Sequence, residues 1–261
     1  MNTDRESKAY NRLCTEFYDI TKPQAGFKEL GYYSNFLEGV KGPILEAMCG
    51  SGRLLIPLLK KGFRIDGVDC SDHMLESCAH RCKAEKLQVN LFNQTLQNLS
   101  LSTKYAAIYI AVGSFQLIAD RAEALETLRK LHEHLLPGGA LVLDTFIPWG
   151  SVKDCIEGTV LLSAPRTVSF ERKVTCADGS EIVMTGMTKV HPQEQLEVSE
   201  SRYEKWRDGK VIAAEEEQLS VRWYYRYEME LFLEKAGFSA VCVTEESFEL
   251  DPQLTVYVAT K

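Results

Sequence analysis

The sequence predicts an α/β fold: a mostly parallel sheet with helices on both faces, and a separate antiparallel sheet inserted late in the chain. Three observations predict it. Residues 43–48 are a short apolar run broken only by Glu46, and Gly50, Gly52 and a set of leucines at helical spacing follow. Residues 63–69 read as a second strand that ends in an acid and leads into a helical stretch. From Gly158 to Arg222 the pattern changes to strand-length runs separated by turn signals, among them Asp178-Gly179 and Asp208-Gly209.

The first run has the length of a buried parallel strand. Gly50 and Gly52 let the backbone turn tightly and lie close to a ligand. Leu54, Leu55, Leu58 and Leu59 form the apolar face of a helix, and Lys60 and Lys61 stand near its end, where cations are favoured. Strand, glycine turn and helix open a nucleotide-binding α/β fold. A dinucleotide fingerprint needs a third glycine three residues after the second, and Leu55 stands there. That weakens a nicotinamide- or flavin-dependent oxidoreductase, which stays as an alternative. Glu46 weakens it further, because a carboxylate under the turn suits a cationic ligand better than a pyrophosphate. Asp69 falls about 20 residues past the glycine loop, where an acid accepts hydrogen bonds from ribose hydroxyls. Its plainer role is to cap the helix expected over 73–86, for which Ser71 is the candidate N-cap.

Several segments together resemble class I S-adenosylmethionine (SAM)-dependent methyltransferases. They are Leu45-Glu46 with Cys49-Gly50-Ser51-Gly52-Arg53, then Gly67-Val68-Asp69 with Ser71 and Met74-Leu75. The likeness continues in residues 113–118, in Leu135-Leu136-Pro137-Gly138-Gly139-Ala140-Leu141, and in Glu230-Leu231, Leu233 and Ala236-Gly237-Phe238. Met48 departs from it, standing where many members have glycine. The resemblance implies a seven-stranded Rossmann-like sheet and SAM as the cofactor. It implies cofactor contacts from Tyr18, Glu46, Met48, Cys49, Gly50, Ser51, Gly52, Arg53, Asp69, Cys70, Met74, Thr95, Leu96 and Val112. At Thr95 the family usually has an acid facing adenine; a hydroxyl, or the Leu96 backbone, can still bond the adenine edge.

Composition bounds the rest. With 261 residues and 45% hydrophobic composition, the chain can fill a full core. The formal net charge is −7 and no basic stripe stands out, so nucleic acid is not an expected partner. No apolar segment follows Met1 and no run approaches membrane-spanning length, so a soluble, cytoplasmic protein is expected. The eight cysteines contain no C-x-x-C pair, and Cys78 and Cys82 sit one helical turn apart. Buried thiols are expected, with neither a disulfide nor a metal site.

In chain order, residues 1–37 are expected to form a helical, aromatic-rich lid, with Tyr18 placed by the resemblance near the donor methyl. A phenol there would favour a sulfonium by cation–π attraction. Residues 38–150 form the cofactor-binding core, with strands at 88–92, 105–112 and 140–146 and a helix at 121–136 stopped by Pro137-Gly138-Gly139. Gln116, just past the fourth strand, is a candidate acceptor contact, and a loop-stabilising bond is its plainer role. Residues 151–225 carry the insertion, with strands at 168–176, 181–190, 195–207 and 210–221. Glu200, Arg202 and Glu204 share one parity with Val198 and Trp206, which excludes a wholly buried face. The sheet is expected to cover the acceptor, and a homodimer could form through it. Residues 226–261 return to the core as a helix and a hairpin at 240–248 and 254–260, turning at Asp251-Pro252.

The placement of the insertion resembles the sugar-amine N,N-dimethyltransferases and, more distantly, glycine N-methyltransferase. That implies a small-molecule methyl acceptor, with nitrogen favoured over oxygen or carbon, and a pocket lined by Tyr18, Gln116 and Tyr225. Methyl transfer from a sulfonium is an in-line displacement, so positioning supplies most of the acceleration. A non-catalytic SAM-binding protein is the other alternative.

Overall fold

The computed structural model describes residues 9–157, 160–161, 165–246 and 254–261. Ser7, Gly158, Phe248 and the expected turn at Asp251-Pro252 lie outside the described residues. The chain begins with helices α1 (Arg12–Thr21) and α2 (Phe27–Glu38). Strand β1 (Ile44–Ala47), helix α3 (Leu55–Lys60), β2 (Ile65–Asp69), α4 (Asp72–Ala84) and β3 (Leu91–Asn93) come next. Then come β4 (Tyr105–Ile110), α5 (Arg121–His134) and β5 (Leu135–Thr145). A short helix α6 (Trp149–Val152) leads to a small ladder of β6 (Ile156–Glu157) with β7 (Val160–Leu161). The long strands are β8 (Arg166–Thr175), β9 (Glu181–His191), β10 (Leu196–Arg207) and β11 (Lys210–Arg222). Helix α7 (Arg226–Lys235) and strands β12 (Ser239–Glu246) and β13 (Leu254–Thr260) complete the chain.

Two compact units emerge. One holds residues 1–23 and 149–221, the other residues 24–148 and 222–261. The division falls inside the segment 1–37, so α1 and α2 belong to different units.

The second unit is built on one seven-stranded sheet in the order β12-β13-β5-β4-β1-β2-β3. Strands β5 to β3 run parallel, and β13 and β12 add antiparallel at the other edge. All four residues of β1 are buried, as a central strand covered on both faces requires. One face packs α5 and α7, through Leu128, Leu131, Met229 and Leu233. The other packs α2, α3 and α4, through Tyr33, Leu37, Leu55, Leu58 and Cys78.

Several boundaries differ from expectation, each for a local reason. Strand β1 stops at Ala47 because Met48 turns left-handed, with φ 60°. Strand β4 stops at Ile110 because Val112 and Gly113 do the same. Pairing of β3 begins only at Leu91, opposite Gly67. Pro137-Gly138-Gly139 was expected to stop helix α5, but α5 ends at His134 and Leu135 is already paired with Tyr105. The three residues form an irregularity inside β5 instead. Gly138 donates to the Lys261 carbonyl at 3.1 Å, and Lys261 donates to that of Gly139 at 3.0 Å. A Cβ on Gly139 would lie 2.9 Å from the Leu136 carbonyl, so only glycine fits there.

The first unit is a four-stranded antiparallel sheet in the order β11-β10-β9-β8, with α1 on one face. Leu13, Cys14 and Phe17 of α1 pack on Cys176, Ile182 and Tyr203. Along β10, Ser201 and Tyr203 are buried while Glu200 and Arg202 are exposed. The parity of the charged residues therefore marks the wet face.

Candidate cofactor site at the carboxyl edge of the sheet

The parallel strands end their carboxyl edges side by side, where open α/β sheets bind ligands. The loop after β1 is built for close approach. Met48, Gly50 and Gly52 all have positive φ, at 60°, 53° and 81°. A Cβ on Gly52 would meet the Cys78 Sγ at 2.7 Å, so the loop sits directly on α4. Cys49 is buried and donates its N–H to the Val68 carbonyl at 3.1 Å. Ser51 is buried too, and its carbonyl and Oγ both accept from the Arg81 guanidinium, at 2.8 and 3.2 Å. Arg53 is buried in an ion pair with Glu29 of α2.

Asp69 ties this loop to the end of β2. One of its oxygens accepts the Gly50 N–H at 2.8 Å and the other the Ser71 N–H at 2.9 Å. Burial raises its pKa, against the pull of those N–H bonds. The Cys70 N–H is a third backbone donor to the same carboxylate, which leaves one lone pair for a further donor. The helix cap is Ser71, whose Oγ accepts the Met74 N–H at 3.2 Å. Met74 is buried beside Gly50, and Cys70 is exposed. Past β3, Leu96 is buried, while Thr95 is exposed and its hydroxyl accepts from the Asn98 amide at 3.2 Å.

A buried polar chain runs beneath the edge. Glu46 accepts from the Tyr109 hydroxyl at 2.7 Å. Burial pushes the Glu46 carboxyl up to about 8, against the Tyr109 hydrogen bond and the nearby Arg53 charge. The Tyr109 and Tyr33 rings pack with centroids 5.2 Å apart. The Tyr33 hydroxyl donates to Asp144, at the end of β5, at 2.7 Å. Asp144 also accepts the N–H groups of Val112, at 3.0 Å, and Gly113. Burial raises the Asp144 carboxyl to about 6.

Gln116 is wholly buried in the turn after β4. Its amide donates to the carbonyls of Phe146, at 2.8 Å, and Arg222, at 3.2 Å, and accepts the Phe146 N–H at 2.8 Å. Both amide protons are therefore engaged by backbone, the plainer of the two roles the sequence suggested. Tyr225 is 47% exposed at the N-cap of α7. Tyr18 lies on α1 in the first unit, half-buried, its ring 6.2 Å from that of Tyr10.

The charges decide what the edge suits. The carboxyls of Asp69 and Asp144 meet it, Glu46 lies beneath it holding a proton, and Arg53 is already paired with Glu29. Such an edge favours a cationic ligand carrying hydroxyls over a pyrophosphate. It fits SAM, which brings a sulfonium, an ammonium and a ribose, and it disfavours the dinucleotide alternative.

Residues 44–139 match the family profile described as a methyltransferase domain. They are a methyltransferase domain. It spans β1 to the irregularity in β5 and so contains every candidate cofactor residue except Tyr18. Among curated proteins, one from Geobacillus sp. (strain WCH70), whose name assigns it provisionally to the methyltransferases, is 29% identical over 101 residues. The match takes in 39% of this chain and 41% of that protein. The chain thus spans about two fifths of the length of such relatives. Among solved structures, the sugar N-methyltransferase KedS8 from Streptoalloteichus sp. ATCC 53650 superposes with TM-score 0.72 at 17% identity, covering 100% of this chain and 97% of that one. SAM-bound CalS10, an amino pentose methyltransferase from Micromonospora echinaspora, gives TM-score 0.67 at 17% identity, covering 96% and 97%. At such identities the likeness establishes the fold: the methyltransferase domain sits in a sheet of the Rossmann-like methyltransferase type.

Asp144, Tyr33, Tyr109 and Arg81 were not singled out as site residues by sequence reasoning. One signal was present for Asp144: an acid closing an apolar strand, as Asp69 closes β2.

Proposed function

We propose that this chain is a SAM-dependent methyltransferase acting on an amine nitrogen of a small molecule. The observation that carries the reading is the Asp69 clamp on a left-handed glycine loop at the carboxyl edge of the sheet. The methyltransferase domain and the likeness to sugar N-methyltransferase structures support it. In this reading Gly50 and Gly52 present backbone to the donor, and Asp69 accepts from its ribose. Glu46, its pKa raised by burial, holds its proton beneath the loop and adds no positive charge there. Bound SAM supplies an electrophilic methyl on a good leaving group. The chain's own work is orientation, since holding two reactants in line is worth about 7–11 kcal/mol. Tyr225, exposed at the start of α7, is the candidate contact for the acceptor, and Gln116 shapes the loop beside it.

The test is a panel of amino sugars and small amines incubated with the protein and SAM. S-adenosylhomocysteine release and a product heavier by one methyl on nitrogen are the expected result. A product methylated on oxygen overturns the choice of nitrogen. SAM bound without any transfer across the panel favours the non-catalytic alternative.

A further inference from the structure

Val112 has φ 61°, and Gly113 follows at 65°. A β-branched residue in that region is a backbone outlier, and such outliers persist only where the surroundings hold them. The Ser114 N–H and Oγ donate to the Ala111 carbonyl at 3.2 and 2.7 Å and the Gln116 N–H to that of Gly113 at 2.9 Å, while one buried side chain takes the N–H groups of the turn itself. Asp144, 1% exposed, accepts both consecutive N–H groups, and the Tyr33 hydroxyl from α2 bonds the same carboxylate. The turn is also hemmed in from outside: a Cβ on Gly113 would lie 2.5 Å from the Phe146 ring. Val112 is nonetheless 39% exposed, so the strained residue faces outward from the strand end.

The sheet order says which part of the donor it would meet. Strand β1 lies between β2 and β4. With the adenine expected at Thr95 and Leu96, past β3, and the ribose at the acid ending β2, the methionine end is what is left to extend across β1 towards β4. We infer that Asp144 is a positioning residue: it fixes the Val112–Gly113 turn as the wall against the methionine end of SAM, and Tyr33 orients the carboxylate. This rests on the methyl-transfer reading. The carboxylate itself touches no donor atom; it acts through the turn.

Calorimetry on the full chain tests this with two ligands, SAM and 5′-methylthioadenosine, which shares the adenosine but lacks the amino-acid end. Asp144→Asn preserves shape but replaces one acceptor oxygen by an amide, so one N–H of the turn loses its bond. SAM affinity should fall about tenfold, the worth of one hydrogen bond to a charged group. Binding of 5′-methylthioadenosine should stay within about threefold. Glycine adopts a positive φ at no steric cost, so adding Val112→Gly to Asp144→Asn should restore most of the SAM affinity. Tyr33→Phe, which removes the hydroxyl that bonds Asp144 and, at 3.4 Å, the Ile110 carbonyl, should show the same selectivity on a smaller scale and covers the case in which Asp144→Asn fails to fold. Equal losses for both ligands in the foldable variants, or no loss in any, overturn the inference. A wild-type chain that binds no SAM overturns the methyl-transfer reading itself, and the inference with it.

Discussion

At the scale of single residues, buried carboxylates govern the behaviour of the candidate site. Glu46 has its folded pKa raised to about 8, so the folded chain keeps a proton that the unfolded chain releases above its ordinary value of 4.5. Stability contributed at this position therefore falls as pH rises between those values. Glu46→Gln should remove that slope. The variant should gain on wild type as pH climbs towards 8, by on the order of a few kcal/mol. Denaturant titrations at pH 5 and pH 8 check it, and parallel stability curves for the two proteins would refute it. Asp69 gives a second expectation. Asp69→Ala removes both the ribose acceptor and the clamp on Gly50, so SAM affinity should drop by about 1–3 kcal/mol, read by calorimetry. Unchanged affinity would remove Asp69 from the site. The turn at Gly50 and Gly52 and the acid ending β2 were legible because backbone freedom and an acid at a strand end are local signals. Asp144 was not, since its partners Val112 and Tyr33 are 32 and 111 residues away. Nor could the sequence decide between the two roles of Gln116, because the Phe146 and Arg222 carbonyls are remote from it in sequence.

At the scale of elements, α1 shows one strand completing the hydrogen bonds of a helix in the same unit. Its N-cap, Asn11, makes no side-chain capping bond. Glu215 of β11 accepts the Cys14 N–H at 2.7 Å, and Glu217 accepts that of Tyr10. Two carboxylates thus meet the positive end of the helix dipole. Glu215→Ala should cost about 1 kcal/mol, the usual worth of a cap, and Glu215→Gln less, because the amide still accepts. Hydrogen exchange at the first turn of α1 should rise in the same order. No change at that turn would show that the cap is idle. The long strands of this unit were legible to within a residue or two, because Asp-Gly turns between strand-length runs are strong signals. The irregularity in β5 was not. Pro-Gly-Gly after a helix reads as a stop, and only the approach of Lys261 makes it part of a strand.

At the scale of the whole molecule, the sequence showed an α/β body with an antiparallel insertion, but not how the N-terminal segment divides. An amphipathic helix carries the same pattern whichever apolar surface it covers, so α1 and α2 looked like one lid. All candidate cofactor residues except Tyr18 lie in the unit of residues 24–148 and 222–261. Removing residues 1–23 and replacing 149–221 by a short glycine–serine bridge should leave a chain that binds SAM with affinity near that of the full protein. Calorimetry on the shortened chain decides it; a folded product that binds no SAM would show that the cofactor contacts are incomplete within this unit. No helix among the described residues is long and apolar enough to cross a membrane.

Such a bridge can be short because of Gln116. One amide group bonds the backbone of Phe146, where the chain leaves the body, and of Arg222, where it returns. During folding, that amide must wait for a partner 106 residues away. Closing a loop of that size is slow relative to closing a short one. The natural chain therefore finishes its cofactor-binding body only after a long detour has been synthesised and brought back. The shortened chain, with its two ends already neighbours in sequence, should refold faster than the parent even where its final stability is no greater.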